Sequence, residues 1–242
     1  MKPLKSYCSL AVLLALLLIL GCKKETPIPS PETGNLVLKI NYTFNNQKLI
    51  PDSLIFRTPT GYLVSVSRLE YYLSGFKIGA TNTTNWYYLN GLKPEGNTLL
   101  LTDLAPGNYQ SIQFSIGLIP ELNQHGKISG TFENNQMIWP TEMGGGYHFL
   151  KFEGRYKKEE RNPGGYAIHL GTDSFLIQHQ ALPVQFSIHK NQTDTLHLTM
   201  QVEEWLSHPW PWDFEKDGNY TMGISEAMKK VMQNGNKVFK VD

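Results

Sequence analysis

Thiols are nearly absent from this chain: of 242 residues only Cys8 and Cys22 are cysteines, and both stand near the start. Beyond them the folded part can form neither a disulfide nor a thiolate metal site. Charge of one sign is also missing. Lys and Arg number 22 against 21 Asp and Glu; without residues 1–21, which hold Lys2 and Lys5, the balance is 20 against 21. A near-zero balance with no basic run excludes nucleic acid as a partner. Catalytic signatures are missing as well. There is no G-x-S-x-G elbow, no H-E-x-x-H pair, and no phosphate-cradling glycine loop beside a lysine. Gly144-Gly145-Gly146 lacks the preceding strand and following helix that a nucleotide loop needs. The expectation is therefore a protein that is not an enzyme. No internal repeat and no sustained helical period are present.

What is there begins with an export signal. Lys2 and Lys5 precede an uncharged apolar run, Leu10 to Leu20, too short to span a bilayer as a helix. The run ends Ile19-Leu20-Gly21-Cys22, the form of a bacterial lipobox, in which cleavage precedes a cysteine that takes a diacylglycerol. Residues 1–21 read as a lipoprotein signal peptide and residues 22–35 as a lipid anchor at Cys22 with a proline-rich tether. Lys23-Lys24 provides no aspartate of the kind that retains some lipoproteins at the inner membrane. The expected place is the periplasmic face of the outer membrane, with surface exposure as the alternative. The membrane, through the anchor, is then the first partner.

From Leu36 onward the dominant period is two. Leu36, Leu38, Ile40, Tyr42 and Phe44 alternate with polar neighbours, as do Ile112 to Leu118, Val184 to Ile188 and Leu196 to Val202. Turn chemistry at Pro59-Thr60-Gly61, Pro106-Gly107-Asn108 and Asn162-Pro163-Gly164-Gly165 separates the runs. Many short strands with one polar face each predict an all-β fold, a single antiparallel β-sandwich over residues 36–242. One short C-terminal helix is expected from Glu226 to about Asn234, capped by Ser225, stopped by Gly235, with Ile224, Met228, Val231 and Met232 inward. Before it, residues 204–217 gather Trp205, Trp210 and Trp212 in an irregular loop.

The densest chemistry lies in residues 137–156, MIWPTEMGGGYHFLKFEGRY. Trp139-Pro140 leads into three glycines and then a strand-like run. Within ten residues stand an indole (Trp139), a carboxylate (Glu142), a thioether (Met143) and an imidazole (His148). The glycines remove bulk, so a ligand or another backbone can approach. Soft sulfur with imidazole suits copper better than calcium or magnesium. Strand phase sorts the other histidines: His189 and His197 fall on polar phases, His179 on a connection and His208 in the tryptophan loop. His125 and His169 remain, giving Met143, His148, His169 and His125 as candidate metal ligands, with Met222 as a further thioether. The competing reading is a glycine turn entering a core strand, with Met143 and Trp139 as packing.

The order of several motifs resembles the MbnP-like family of periplasmic copper-binding proteins, in the lipid-anchored version of Bacteroidetes-type bacteria. The matching pieces are Arg68-Leu-Glu-Tyr-Tyr-Leu-Ser74, Phe114-Ser-Ile-Gly-Leu118 with Asn123, and Met137-Ile-Trp-Pro140 with Gly146-Tyr147. Phe152-Glu-Gly154, Ile168-His-Leu-Gly171 and the closing Asn234-Gly235 with Val238-Phe239 continue the set. The resemblance implies a β-sandwich, copper as cofactor, and a dihaem cytochrome c peroxidase-like partner. In copper-holding relatives, histidines and a tryptophan oxidised to kynurenine bind the metal, with a histidine two residues after that tryptophan. That pair falls at Tyr72 and Ser74 here, and a second family histidine falls at Gln124, one residue before His125. The expectation is copper binding or handling, through residues other than the family's pair. The alternative is a non-metal envelope module that binds a glycan or protein through Trp205, Trp210 and Trp212.

Overall fold

A computed structural model describes residues 32–93, 97–178 and 181–242. The signal peptide, Cys22, most of the tether and His179 lie outside the described residues. In chain order the first strands are β1 (Gly34–Phe44), β2 (Gln47–Lys48), β3 (Phe56–Arg57), β4 (Leu63–Val64), β5 (Arg68–Ile78) and β6 (Thr81–Asn82). Then come β7 (Trp86–Asn90), β8 (Thr98–Leu104), β9 (Gly107–Ile116), helix α1 (Phe132–Gln136), β10 (His148–Lys157) and β11 (Gly164–Gly171). The chain closes with β12 (Ile177–Gln178), β13 (Leu182–Ile188), β14 (Thr193–Gln201), helix α2 (Ser225–Gly235) and β15 (Phe239–Val241).

Two sheets follow from the alternation. The smaller has the order β15-β14-β1-β2, with β8 also on β1; the larger runs β12-β9-β5-β10-β4-β3, joined by β6, β7, β11 and β13. Pairing is antiparallel throughout both sheets except that β1 and β14 run parallel. The whole larger sheet lies between these two strands in sequence, so no hairpin constrains their direction. The fold is thus the expected all-β sandwich with a short C-terminal helix. Its core holds Leu36, Leu38, Ile40, Tyr42 and Phe44 of β1 facing Leu69, Tyr71 and Leu73 of β5. Tyr42 and Tyr71 bond hydroxyl to hydroxyl across the sheets at 2.7 Å, which satisfies two buried polar groups at once. Among the described residues no helix is long and apolar enough to cross a membrane.

Period two also fixes what lies on the outer face of the larger sheet. Leu150 and Phe152 of β10 pair with Tyr71 and Leu69 in the core, so Lys151 and Glu153 point the other way, beside Glu70 and Arg68 of β5 and His169 of β11. The long β9–β10 connection covers this polar face. Tyr72 donates to Asn134 Oδ1 at 2.7 Å, and Lys151 donates to the Gln136 carbonyl.

Details at the C-terminus depart from expectation. Ser225 is the first helical residue, not the cap; Ile224 occupies the cap position without a side-chain bond and is 49% exposed rather than inward. Gly235 ends the helix instead of following it, pressed against Ile177 and Trp205. Trp205 and Trp212 are fully buried and only Trp210 faces solvent, so the tryptophan loop is mainly an internal plug. Asn234 fastens it, donating to the carbonyls of Trp205 and Trp210 at 3.1 and 2.9 Å and accepting from Trp210 N. That removes most of the aromatic surface on which the glycan-binding alternative rested.

Candidate functional site

The site grows from a register shift. His148 and Lys151 are three residues apart, so simple alternation would place them on opposite faces of β10. A β-bulge between His148 and Leu150 resets the phase: His148 pairs with Gly171 while Lys151 pairs with His169. An extra residue in one strand re-aims the side chains on either side of it. The His148 and His169 rings therefore meet on one face, with centroids 5.1 Å apart and planes at 84°.

Each ring has one nitrogen committed to oxygen. Nδ1 of His148 lies 3.1 Å from the Met137 carbonyl, so it carries the proton of the neutral ring and leaves Nε2 with a lone pair. Burial, then the nearby charges of Lys151 and His169, lowers the His148 pKa to about 3, so the ring is neutral at physiological pH. Nε2 of His169 lies 2.9 Å from Glu153 Oε1. Glu153 is held below the usual carboxylate range first by that bond, then by Arg68 against the opposing effect of burial. Nδ1 of His169 is buried and has no hydrogen-bond partner.

The surroundings are rigid. The Trp139 indole packs edge-on against His148 at 4.7 Å, and its Nε1–H donates to the Met143 carbonyl at 3.0 Å. Gly171 lies under the same indole. Thr221 clamps the backbone of His169, accepting from its N–H and donating to its carbonyl, both at 2.7 Å. The neighbouring Thr172 has φ 65° and ψ 150°, a conformation almost confined to glycine.

Of the two uses expected for the glycine triplet, approach by a ligand or by another part of the chain, Gly146 serves the second. Gly144, Gly145 and Gly146 all have positive φ, at 110°, 69° and 82°. A methyl group at Gly146 would lie 2.4 Å from Asn123 Oδ1, which accepts from Tyr147 N. The close approach at Gly146 is made by the chain's own Asn123.

Of the residues nominated from sequence, the structure brings His148 and His169 together. Met143 is half-buried on the adjoining turn, its terminal methyl beside Gly223 in the loop that also holds Thr221 and the half-buried Met222. His125 is exposed, and among the described residues no hydrogen bond or ring contact joins it to the pair. His208 bonds Glu204 at 2.8 Å, and His189 bonds Asp194 at 2.8 Å. Glu153, Arg68 and Lys151 were not singled out, though their shared phase across β5 and β10 was a usable signal. Among the described residues no group of three or more His, Cys, Asp or Glu is arranged to hold a metal. The orphaned Nδ1 of His169 and the neutral imidazole of His148 nevertheless fit a soft or borderline metal ion.

The two positions at which the resemblance implies a tryptophan-histidine pair are occupied otherwise. Tyr72 is committed to Asn134, and Ser74 donates to the Gly117 carbonyl at 2.8 Å while accepting from Ile119 N. Neither position offers an imidazole or an indole.

Comparison with known proteins sets these observations in a family. A search of curated proteins gives no match. A solved structure, MbnP from Methylosinus trichosporium, is similar with a TM-score of 0.47 and 13% identity, over 72% of this chain and 78% of that one. The family model MbnP matches residues 33–227, from the residue before β1 into α2, and the chain therefore belongs to the MbnP family.

Proposed function

We propose that this protein is an envelope lipoprotein that holds copper on the outer face of its larger sheet, with His148 and His169 as the imidazole ligands. The supporting observation is the buried Nδ1 of His169. A buried polar atom without a partner is rare in a folded protein and calls for an ion or another group to complete it. Paired imidazole donors suit copper or zinc rather than calcium or magnesium. Met143 and Met222 stand on the two loops that border the pair, and with no thiol in the described chain these thioethers are the soft donors at hand. They favour Cu(I). Bound copper would supply a redox-active or transferable ion; the chain's own part is to hold two imidazoles side by side, with His148 neutral and covered by Trp139.

Family membership supports copper, while the loss of the tryptophan-histidine pair at Tyr72 and Ser74 argues for a shifted site. The function is binding, with no catalytic step assigned to any residue. Lipidation at Cys22 would fix the protein at the periplasmic face of the outer membrane, and a dihaem peroxidase-like protein is the proposed partner. His125, exposed and apart from the pair, is left out of the ligand set.

Anaerobic titration with Cu(I) against a chromophoric chelator tests the reading. One equivalent should bind tightly to the wild type and be lost in the folded His148→Ala, His169→Ala double variant. Unchanged affinity in that variant would overturn it. Membrane fractionation of Cys22→Ala tests the anchor, because release from the membrane is expected.

A further inference from the structure

We infer that Glu153 is a positioning residue of the imidazole pair: it fixes the tautomer of His169 that leaves Nδ1 as the metal-facing lone pair, and Arg68 holds it there. This inference rests on the copper reading above and adds what holds the His169 ring in the orientation and tautomer that reading needs. An ionised carboxylate only accepts hydrogen bonds, so the 2.9 Å contact requires that His169 Nε2 carry a proton. In the neutral ring the other nitrogen is then a bare lone pair, and it is the one that is buried without a partner.

The carboxylate is itself fixed. Arg68 Nη1 donates to the same Oε1 at 3.2 Å, and Arg68 Nε donates to Glu70 Oε2 at 3.0 Å. Two donors from different strands thus converge on one oxygen. Register places them there, since Glu153 pairs with Arg68, and Lys151 pairs with both Glu70 and His169. The row Arg68–Glu153–His169 runs from a solvent-open groove, lined also by Glu70 and Asn90, to the imidazole pair. A carboxylate behind a ligating histidine fixes ring orientation and raises its basicity, and its removal typically costs about 10–100-fold in metal affinity.

The test separates this inference from the copper reading. In the metal-free wild type, nitrogen-15 NMR should show His169 as a single Nε2–H tautomer; an Nδ1–H ring would overturn the inference whether or not copper binds. Glu153→Leu should give mixed tautomers and about 10–100-fold weaker Cu(I) binding. Glu153→Gln should restore both, because its amide oxygen can still accept from Arg68 and His169. A Glu153→Leu protein with the wild-type tautomer and Cu(I) affinity would overturn the positioning role while leaving the copper reading intact. The expected tautomers without Cu(I) binding in the wild type would support the positioning role and sink the copper reading.

Discussion

The Trp139 indole rests directly on the backbone of Gly171: a methyl group there would lie 2.2 Å from Cε3 and 2.5 Å from Cδ2. Since the same indole packs against His148, the contact ties the end of β11 to the imidazole pair. Gly171→Ala should push the ring aside at a cost of about 1–3 kcal/mol, the usual range for overpacking. Thermal unfolding should show the loss. Cu(I) affinity should fall with it, because His148 loses its fixed neighbour. A variant as stable as the wild type would mean that the indole has room to move.

Strain beside that contact gives a second expectation. Thr172 is β-branched and holds φ 65°, ψ 150°, which typically costs on the order of 1–3 kcal/mol. Glycine at this position relieves the strain but loses more entropy on folding, roughly 0.5–1 kcal/mol. Thr172→Gly should therefore be neutral to stabilising by about 1 kcal/mol, and denaturant melts can resolve that. Any clear destabilisation would show that the threonine side chain contributes more than its backbone costs.

Much of this fold was readable because period two is a strong signal. β1, β9 and β14 fall where Leu36 to Phe44, Ile112 to Leu118 and Leu196 to Val202 alternate, and the residues of the apolar phase are buried, joined by Ser115 and Thr199 of the polar phase. Side-chain alternation says nothing about which strand lies alongside, so the parallel β1–β14 pair was not legible. Nor was the bulge at His148–Leu150. Its sequence, His-Phe-Leu-Lys-Phe, alternates imperfectly, and only pairing with β11 decides which face His148 takes. Residue chemistry nominated Met143, His148 and His169, but it also nominated His125, because exposure on a loop leaves no periodic mark. Glu153 was passed over for the opposite reason: a charged residue on the polar phase of a strand reads as solvated. Its meaning comes from Arg68 and His169, which arrive from other strands.

The tryptophan loop offers a direct contrast. Trp212 is fully buried and its Nε1–H donates to the Gly218 carbonyl at 3.0 Å. Trp212→Ala should cost about 3–5 kcal/mol, as other large-to-small aromatic core changes do. Trp210 is half-exposed and bonds the Gln233 side chain at the surface, so Trp210→Ala should cost under about 1 kcal/mol. Equal losses would contradict the plug. A lost glycan or protein ligand in Trp210→Ala alone would revive the aromatic-surface reading.

The last expectation concerns Glu203, on the turn that follows β14. Its side chain is nearly buried and Oε2 has no hydrogen-bond partner. Burial raises its pKa, against backbone N–H groups of Glu203 and Asn45 that favour the charged form; Glu204 adds repulsion and Lys240 a weaker attraction. An acid whose folded pKa lies above its unfolded value, about 4.3 for glutamate, binds its proton more tightly in the folded state. Stability is then lost as pH rises from the unfolded value through the raised folded one. Glu203→Gln removes the charge at nearly constant shape. At pH 7 it should stabilise the fold by on the order of 1 kcal/mol, about 2–4 °C in Tm for a domain of this size. At about pH 3, more than one unit below the unfolded value, the wild-type group is protonated in both states and the two proteins should melt together. A gain that is the same at both pH values would show that the charge on Glu203 is not what the fold opposes.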